Sequence, residues 1–224
     1  MGKFILRFFL LSLVAIILLA IFLAYFGFET DRFNVLIKNK ANEINQYTKL
    51  EFQKTKIHFN PREFNLAVKL KQPKVLIRDN QINLSKIDLF LSLQSFISSD
   101  FLLERAEVAF AKNDIKDITK ITSIFLPRFI NKRFGKIFER GSLEGEFFIP
   151  FNKDGSISRN YGFSGKISEA SINFTKELSI KNLTTEINHK KEKDEDVFVI
   201  TVKQGSFFDL DIANSVIHLK NEKN

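Results

Sequence analysis

The chain has 224 residues, with 34 Lys and Arg against 26 Asp and Glu, a net charge of +8 and no cysteine. Without cysteine there is neither a disulfide framework nor a thiolate metal site. The positive charge is scattered among acids and apolar residues, and no aromatic–glycine RNA motif accompanies it, so no nucleic acid is expected among its partners.

The first element is the uncharged run from Phe8 to Phe28. As a helix it reaches about 30 Å, the thickness of a bilayer's hydrocarbon core. A secretory signal has a shorter apolar stretch, roughly 7–15 residues, closed by a small-residue cleavage site. Here Leu23-Ala24-Tyr25-Phe26-Gly27-Phe28 sets bulky aromatics among the small residues, and the run reads as an uncleaved anchor. Lys3 and Arg7 ahead of it favour an N-terminus inside, while Arg32, Lys38 and Lys40 behind it act in the other direction. The chain is thus expected to comprise a cytoplasmic N-terminus over 1–7, a transmembrane anchor over 8–28 and one β-rich domain over 29–224.

After the anchor, Leu36, Ile37, Ala41 and Ile44 recur at helical spacing, which predicts a helix near 33–46. From Leu50 onward the period falls to two. Leu50 and Phe52, Ile57 and Phe59, then Leu66, Val68 and Leu70 alternate with polar neighbours, with a parity shift at Lys54-Thr55-Lys56 that marks a turn or bulge. Val75 and Ile77 follow Pro73, and Ile82, Leu84, Ile87, Leu89 and Leu91 form an interrupted strand. Ala106, Val108 and Phe110 form the next. The pattern turns helical over 114–138. Ile115, Ile118, Ile121 and Phe125 follow the cap Asn113-Asp114, and Pro127 ends that run. Ile130, Phe134, Ile137 and Phe138 then share a face, with Arg128, Lys132, Arg133, Lys136 and Arg140 interleaved. That pattern suits an ordinary surface helix, or one lying on anionic headgroups.

Alternation resumes at Ser142, with Leu143, Gly145, Phe147, Ile149 and Phe151 on one side. Asn152-Lys153-Asp154-Gly155 predicts a hairpin turn. Strands are expected over Ile157–Phe163, Ile167–Phe174, Leu178–His189, Val197–Val202, Phe207–Ile212 and Ile217–Leu219, with the charged run Lys190 to Asp196 as a hairpin tip. The expected fold is mainly β with a few short helices: a transmembrane helix followed by a long antiparallel, curved sheet.

Catalytic constellations are absent. His58, His189 and His218 lie far apart and read as strand-surface histidines. There is no Gly-x-Ser-x-Gly, Walker loop or Gly-x-Gly-x-x-Gly. Neither a catalytic residue nor a metal set nor a cofactor is expected, and the protein is read as non-enzymatic. Gly162-Phe163-Ser164-Gly165 reads as a bulge or tight crossing. Asp209 and Asp211 share a strand face, which suits a cation or simply a solvated surface.

What remains is an abundance of apolar strand faces. A second sheet would close them into a sandwich, the scaffold of a membrane-tethered adaptor binding another envelope protein. An open curved sheet would leave them lining a groove for acyl chains. Periodicity alone does not choose. The groove candidates are Leu66, Val68, Leu70, Val108, Phe110, Leu143, Phe147, Ile149 and Phe151.

The arrangement resembles the AsmA-like family of bacterial envelope proteins, of the YhdP/TamB type. The residues that carry the likeness are the N-terminal anchor, the helix-like Val35 to Asn45, and the short strand Leu50-Glu51-Phe52. They continue with Phe64 to Leu70 leading to Val75-Leu76-Ile77, then Ile87 to Leu93 and Ala106-Glu107-Val108. Gly141 to Gly145, through Asp154-Gly155 to Gly162 to Ile167, is similar to the YhdP-like branch. The resemblance implies a single-pass bacterial inner-membrane anchor and a periplasmic β-groove domain over 29–224. It implies phospholipid and the bilayer as partners, other envelope proteins beside them, and a role in inter-membrane lipid transport and outer-membrane homeostasis.

Overall fold

The computed structural model describes residues 2–44, 48–77, 80–93, 103–119, 137–175, 177–192, 195–208 and 210–221. Helix α1 (Gly2–Tyr25) is long and apolar enough to cross a membrane. Beyond Arg7 it carries no charge, and none of its apolar stretch is buried against the rest of the chain. Its end is set by Gly27, at φ 68. The Phe26 and Gly27 amides both donate to the Phe22 carbonyl, which closes the helix with a left-handed cap. A Cβ on Gly27 would lie 2.8 Å from the His58 ring and from the Ile57 carbonyl. Glycine therefore lets the chain leave the helix directly into the sheet, and Phe28, expected in the span, belongs instead to strand β1 (Phe28–Thr30).

After β1 comes helix α2 (Asn34–Ile44) and then strand after strand: β2 (Thr48–Glu51), β3 (Thr55–Asn60), β4 (Asn65–Leu70), β5 (Lys74–Ile77) and β6 (Asn80–Ser92). The long strands follow: β7 (Leu103–Asp114), β8 (Phe138–Pro150), β9 (Gly162–Asn173), β10 (Ser179–Glu192), β11 (Glu195–Phe207) and β12 (Leu210–Asn221). The sheet order is β1-β3-β4-β6-β7-β8-β9-β10-β11-β12. Each pairing is antiparallel, so this is a meander that curves as an open sheet. The one excursion is β5, which pairs with the start of β6 and with β2 to make a three-stranded flap.

The flap and α2 fold over one end of the apolar face. Phe52, Val68, Leu70, Ile87 and Leu91 are buried there, with Ile37, Leu50 and Leu103 packed against them. Asn34 fixes the helix in place: its Oδ1 accepts from Thr55 Oγ1 at 2.9 Å, and its Nδ2 donates to the Gln53 carbonyl at 3.2 Å. A second cluster, Ile115, Ile167, Ala170, Leu183 and Val202, closes the other end. Ile115 opens a helical turn over 115–119 and is 1% exposed. The apolar face is thus covered at both ends by different pieces of chain.

Several expected boundaries move. The helix expected over 114–138 begins only at 115, because Asp114 still pairs with Ser142. Phe138 already belongs to β8, while Ile121, Phe125, Pro127, Ile130, Phe134 and the basic residues among them up to Lys136 lie outside the described residues. Ile157–Phe163 is not a return strand: Ile157 makes a single bridge to Phe151, and the next strand begins at Gly162. The charged run Lys190 to Asp196 is mostly strand, because Lys191 sits opposite Asp196 and the opposite charges pair across β10 and β11. The strand expected over Phe207–Ile212 is divided: Phe207 ends β11, where it pairs with Leu210, and Leu210 to Ile212 belong to β12, with Phe208 at φ 49 after β11. Gly162–Gly165 is a regular stretch of β9 and not a bulge.

Candidate functional site

Residues opposite one another in an antiparallel pair share a face of the sheet. The registers therefore define one row crossing seven strands: Ile87, Val108, Phe147, Phe163, His189, Phe198 and Leu219. At about 4.8 Å between strands this row is roughly 29 Å long. A hydrocarbon core of about 30 Å holds two leaflets, so one acyl chain needs roughly half that length. Beside it runs a second row, Phe110, Gly145, Gly165, Ile187, Ile200 and Ile217.

The two rows fit together through the glycines. The Phe163 ring leans over Gly145 and Gly165, where a Cβ on Gly145 would lie 2.9 Å from the ring and 2.7 Å from the Ser164 carbonyl. The glycine pair lets an aromatic ring lie against the backbone and flattens the floor of the face. Phe163 packs on Phe147 at 4.8 Å between centroids, and Phe110 lies 6.0 Å from Phe147 and 6.2 Å from Phe163. Towards the middle of the sheet and its last strand this surface is open: Phe147 is 40% exposed, Ile217 46% and Leu219 51%.

The nine groove candidates all fall on this face, in different settings. Val68 and Leu70 are buried under the flap, with Leu66 half-buried beside them. Phe110 is buried, while Val108, Ile149 and Phe151 are half-buried. Leu143 packs against the second cluster. Of the nine, Phe147 is the exposed one. The sequence reading missed Phe163, His189, Phe198, Ile200, Ile217 and Leu219. The alternation of Phe198, Ile200 and Val202 could have found part of this set, but Val197 and Val199 are apolar too and hide the phase.

His189 is a correction. Expected on a strand surface, it is buried between Phe163 and Phe198, 4.3 Å from the latter ring, with Tyr161 5.3 Å away. Its Nε2 lies 3.0 Å from Asp196 Oδ1, and since an ionised carboxylate only accepts, Nε2 carries the proton. That hydrogen bond, opposed by burial and helped by Lys191 at 3.5 Å, holds the Asp196 carboxyl below its usual range. A depressed carboxylate contributes stability that is present above its unfolded pKa, near 4, and lost as pH falls through the folded value. The melting temperature should therefore fall on acidification below about pH 4. Asp196→Asn should lose part of that dependence, and identical pH profiles for the two proteins would refute the link.

The opposite face is mostly polar, although Phe148 and Val216 are exposed on it. Lys86 Nζ lies 2.6 Å from Glu107, 3.1 Å from Glu146 and 3.7 Å from Asp88. Burial works against its charge, but the hydrogen bonds to Glu107 and Glu146 outweigh it and raise the Lys86 pKa above the ordinary lysine value. Arg105 bridges Glu63 and Glu107 and stacks 3.7 Å over Phe90. Such half-exposed pairs add little stability singly; together they keep this face in water and make the sheet amphipathic. Among the described residues no group of three His, Asp or Glu could hold a metal ion, and Asp209, the partner of Asp211, lies outside them.

No protein-family model, no curated protein and no solved structure matches this chain.

Proposed function

We propose that the protein is a non-enzymatic, membrane-anchored lipid binder that holds acyl chains along the apolar face of its sheet. The observation that carries this reading is the seven-strand row from Ile87 to Leu219, buried at Ile87 and His189 and exposed at Phe147 and Leu219. Flat apolar surface of this extent is costly in water and is commonly a binding surface. The polar back and the apolar helix α1 suit a sheet beside a bilayer with its apolar side able to accept lipid. The resemblance to the AsmA-like family and the position of Lys3 and Arg7 support an inner-membrane anchor with the sheet in the periplasm. In that setting the protein would serve inter-membrane lipid transport and outer-membrane homeostasis.

A second reading draws on β12. Among the described residues it pairs only with β11, and Val216, Ile217 and Leu219 are exposed along it. Open apolar edges accept strands from other chains, as an envelope adaptor would require. Native mass spectrometry of the detergent-extracted protein separates the two. Phospholipid adducts of stoichiometric intensity are expected; a bare protein, or one carrying only a protein partner, would overturn the lipid reading.

A further inference from the structure

On the polar face, a line of irregularities crosses the long strands. The β7–β8 register shifts between Phe110 and Asn113, and β8–β9 shifts on either side of Arg140. The shifts continue around Leu183 in β9–β10 and around Thr184 in β10–β11. Gly141, Glu169 and Asn182 take φ of 135, 53 and 53. Each bulge bends its strand locally. Side by side they open a cleft of about 530 Å³, lined among others by Lys112, Arg140, Ser142, Ser168, Glu169 and Asn182. The cleft is on the face opposite the groove, because Leu143, Ile167, Ala170 and Leu183, the immediate neighbours of its lining residues, point into the second core cluster.

Some cations of that face are paired with carboxylates; others among the described residues, such as Lys166 and Lys190, are not. Lys69, Lys86, Arg105 and Lys203 stand 3.5, 2.6, 2.7 and 3.2 Å from a carboxylate. Among the described residues neither Lys112 nor Arg140 has such a partner, although Glu169 shares their cleft. Arg140 donates from Nε to Ser171 Oγ at 3.0 Å and from Nη2 to Asn182 Oδ1 at 2.9 Å. Both acceptors are neutral, so they orient the guanidinium without cancelling its charge. An oriented Arg fork matches the oxygens of a phosphate. Inorganic phosphate would meet the two cations but also be repelled by Glu169. A ligand carrying an ammonium beside its phosphate answers all three charges.

We propose that this cleft binds a zwitterionic phosphate ester. Its phosphate contacts Arg140 and Lys112, with the Ser142 and Ser168 hydroxyls as further donors, and its ammonium faces Glu169. The group has two sources, a free solute or a phospholipid headgroup, and the site does not depend on the acyl-chain reading of the other face.

The test titrates the full-length protein, in phosphate-free detergent solution, by calorimetry with three probes. These are O-phosphoethanolamine, dihexanoyl phosphatidylethanolamine below its micelle concentration, and inorganic phosphate. Saturable binding of either ester is expected. The solute alone binding assigns a soluble ligand, and the short lipid binding assigns a headgroup. Arg140→Gln and Lys112→Gln should each weaken ester binding by roughly tenfold or more, the usual scale for a charge-assisted bond, while Lys153→Gln on the 152–155 turn should not. Glu169→Gln should act with opposite signs, weakening the ester and strengthening inorganic phosphate. A misfolded variant cannot gain affinity, so this split keeps folding and binding apart. Absence of saturable binding of both esters would overturn the proposal, as would binding that survives Arg140→Gln, or equal responses of ester and phosphate to Glu169→Gln.

Discussion

Replacing Phe147 with Asp is expected to leave a folded protein that no longer carries lipid. Phe147 lies mid-row with its ring 4.8 Å from Phe163 and 6.0 Å from Phe110, yet it is 40% exposed. Its loss removes only part of a phenylalanine's burial, about 1–2 kcal/mol. The carboxylate that replaces it still reaches water, so the cost of several kcal/mol for burying an unpaired charge does not apply. Of a typical 5–15 kcal/mol of domain stability, most remains. Acyl chains, by contrast, would have to lie against a hydrated anion. Phe110 supplies the comparison: it neighbours Phe147 on the same face but is 8% exposed, and Phe110→Asp should unfold the domain. Thermal melts run beside lipid extraction separate the cases. A collapsed melting temperature for Phe147→Asp would mean that the face is closed; an unchanged lipid load would mean that lipid does not lie there.

Much of the architecture was legible, because its signals are local. The uncharged run fixes the apolar helix, and alternation at period two fixes the strands and their apolar side. What was not legible depends on contacts between distant segments. Ile115 and Ile37 show helical spacing, but nothing in that spacing says that they close opposite ends of one face. His189 is buried by Phe163 and Phe198, from neighbouring strands, and its own neighbours Asn188 and Lys190 are those of a surface residue. Lys191 and Asp196 read as a charged loop until the register sets them opposite each other. The bulge line was the least visible feature. A bulge reverses the side-chain phase within a strand, so Phe138 and Arg140 continue a helical pattern in sequence while they open β8 in the structure.

That bulge line also holds the position where a single methyl group should be most damaging. Gly141→Ala is expected to destabilise the domain by roughly 2–6 kcal/mol, from about 1–3 for an unfavourable backbone conformation and a similar amount for overpacking. Gly141 has φ 135, a region that side chains rarely occupy. A Cβ there would stand 2.8 Å from both Cα and Cβ of Ala170, which is itself fully buried in the second core cluster. A backbone Cα cannot rotate aside, so β9 would have to move as a strand. That motion would pull Ala170 away from Ile115 and Leu183 and loosen the cover at this end of the groove. Gly155 isolates the conformational part: it has φ 80, and a methyl group added there would meet no atom within 4 Å. Gly155→Ala should therefore cost only the backbone share. Denaturant melts of the two variants beside the native protein measure the difference. If Gly141→Ala costs no more than Gly155→Ala, β8 and β9 are not packed at the bulge as described, and the cleft built on that packing falls with it.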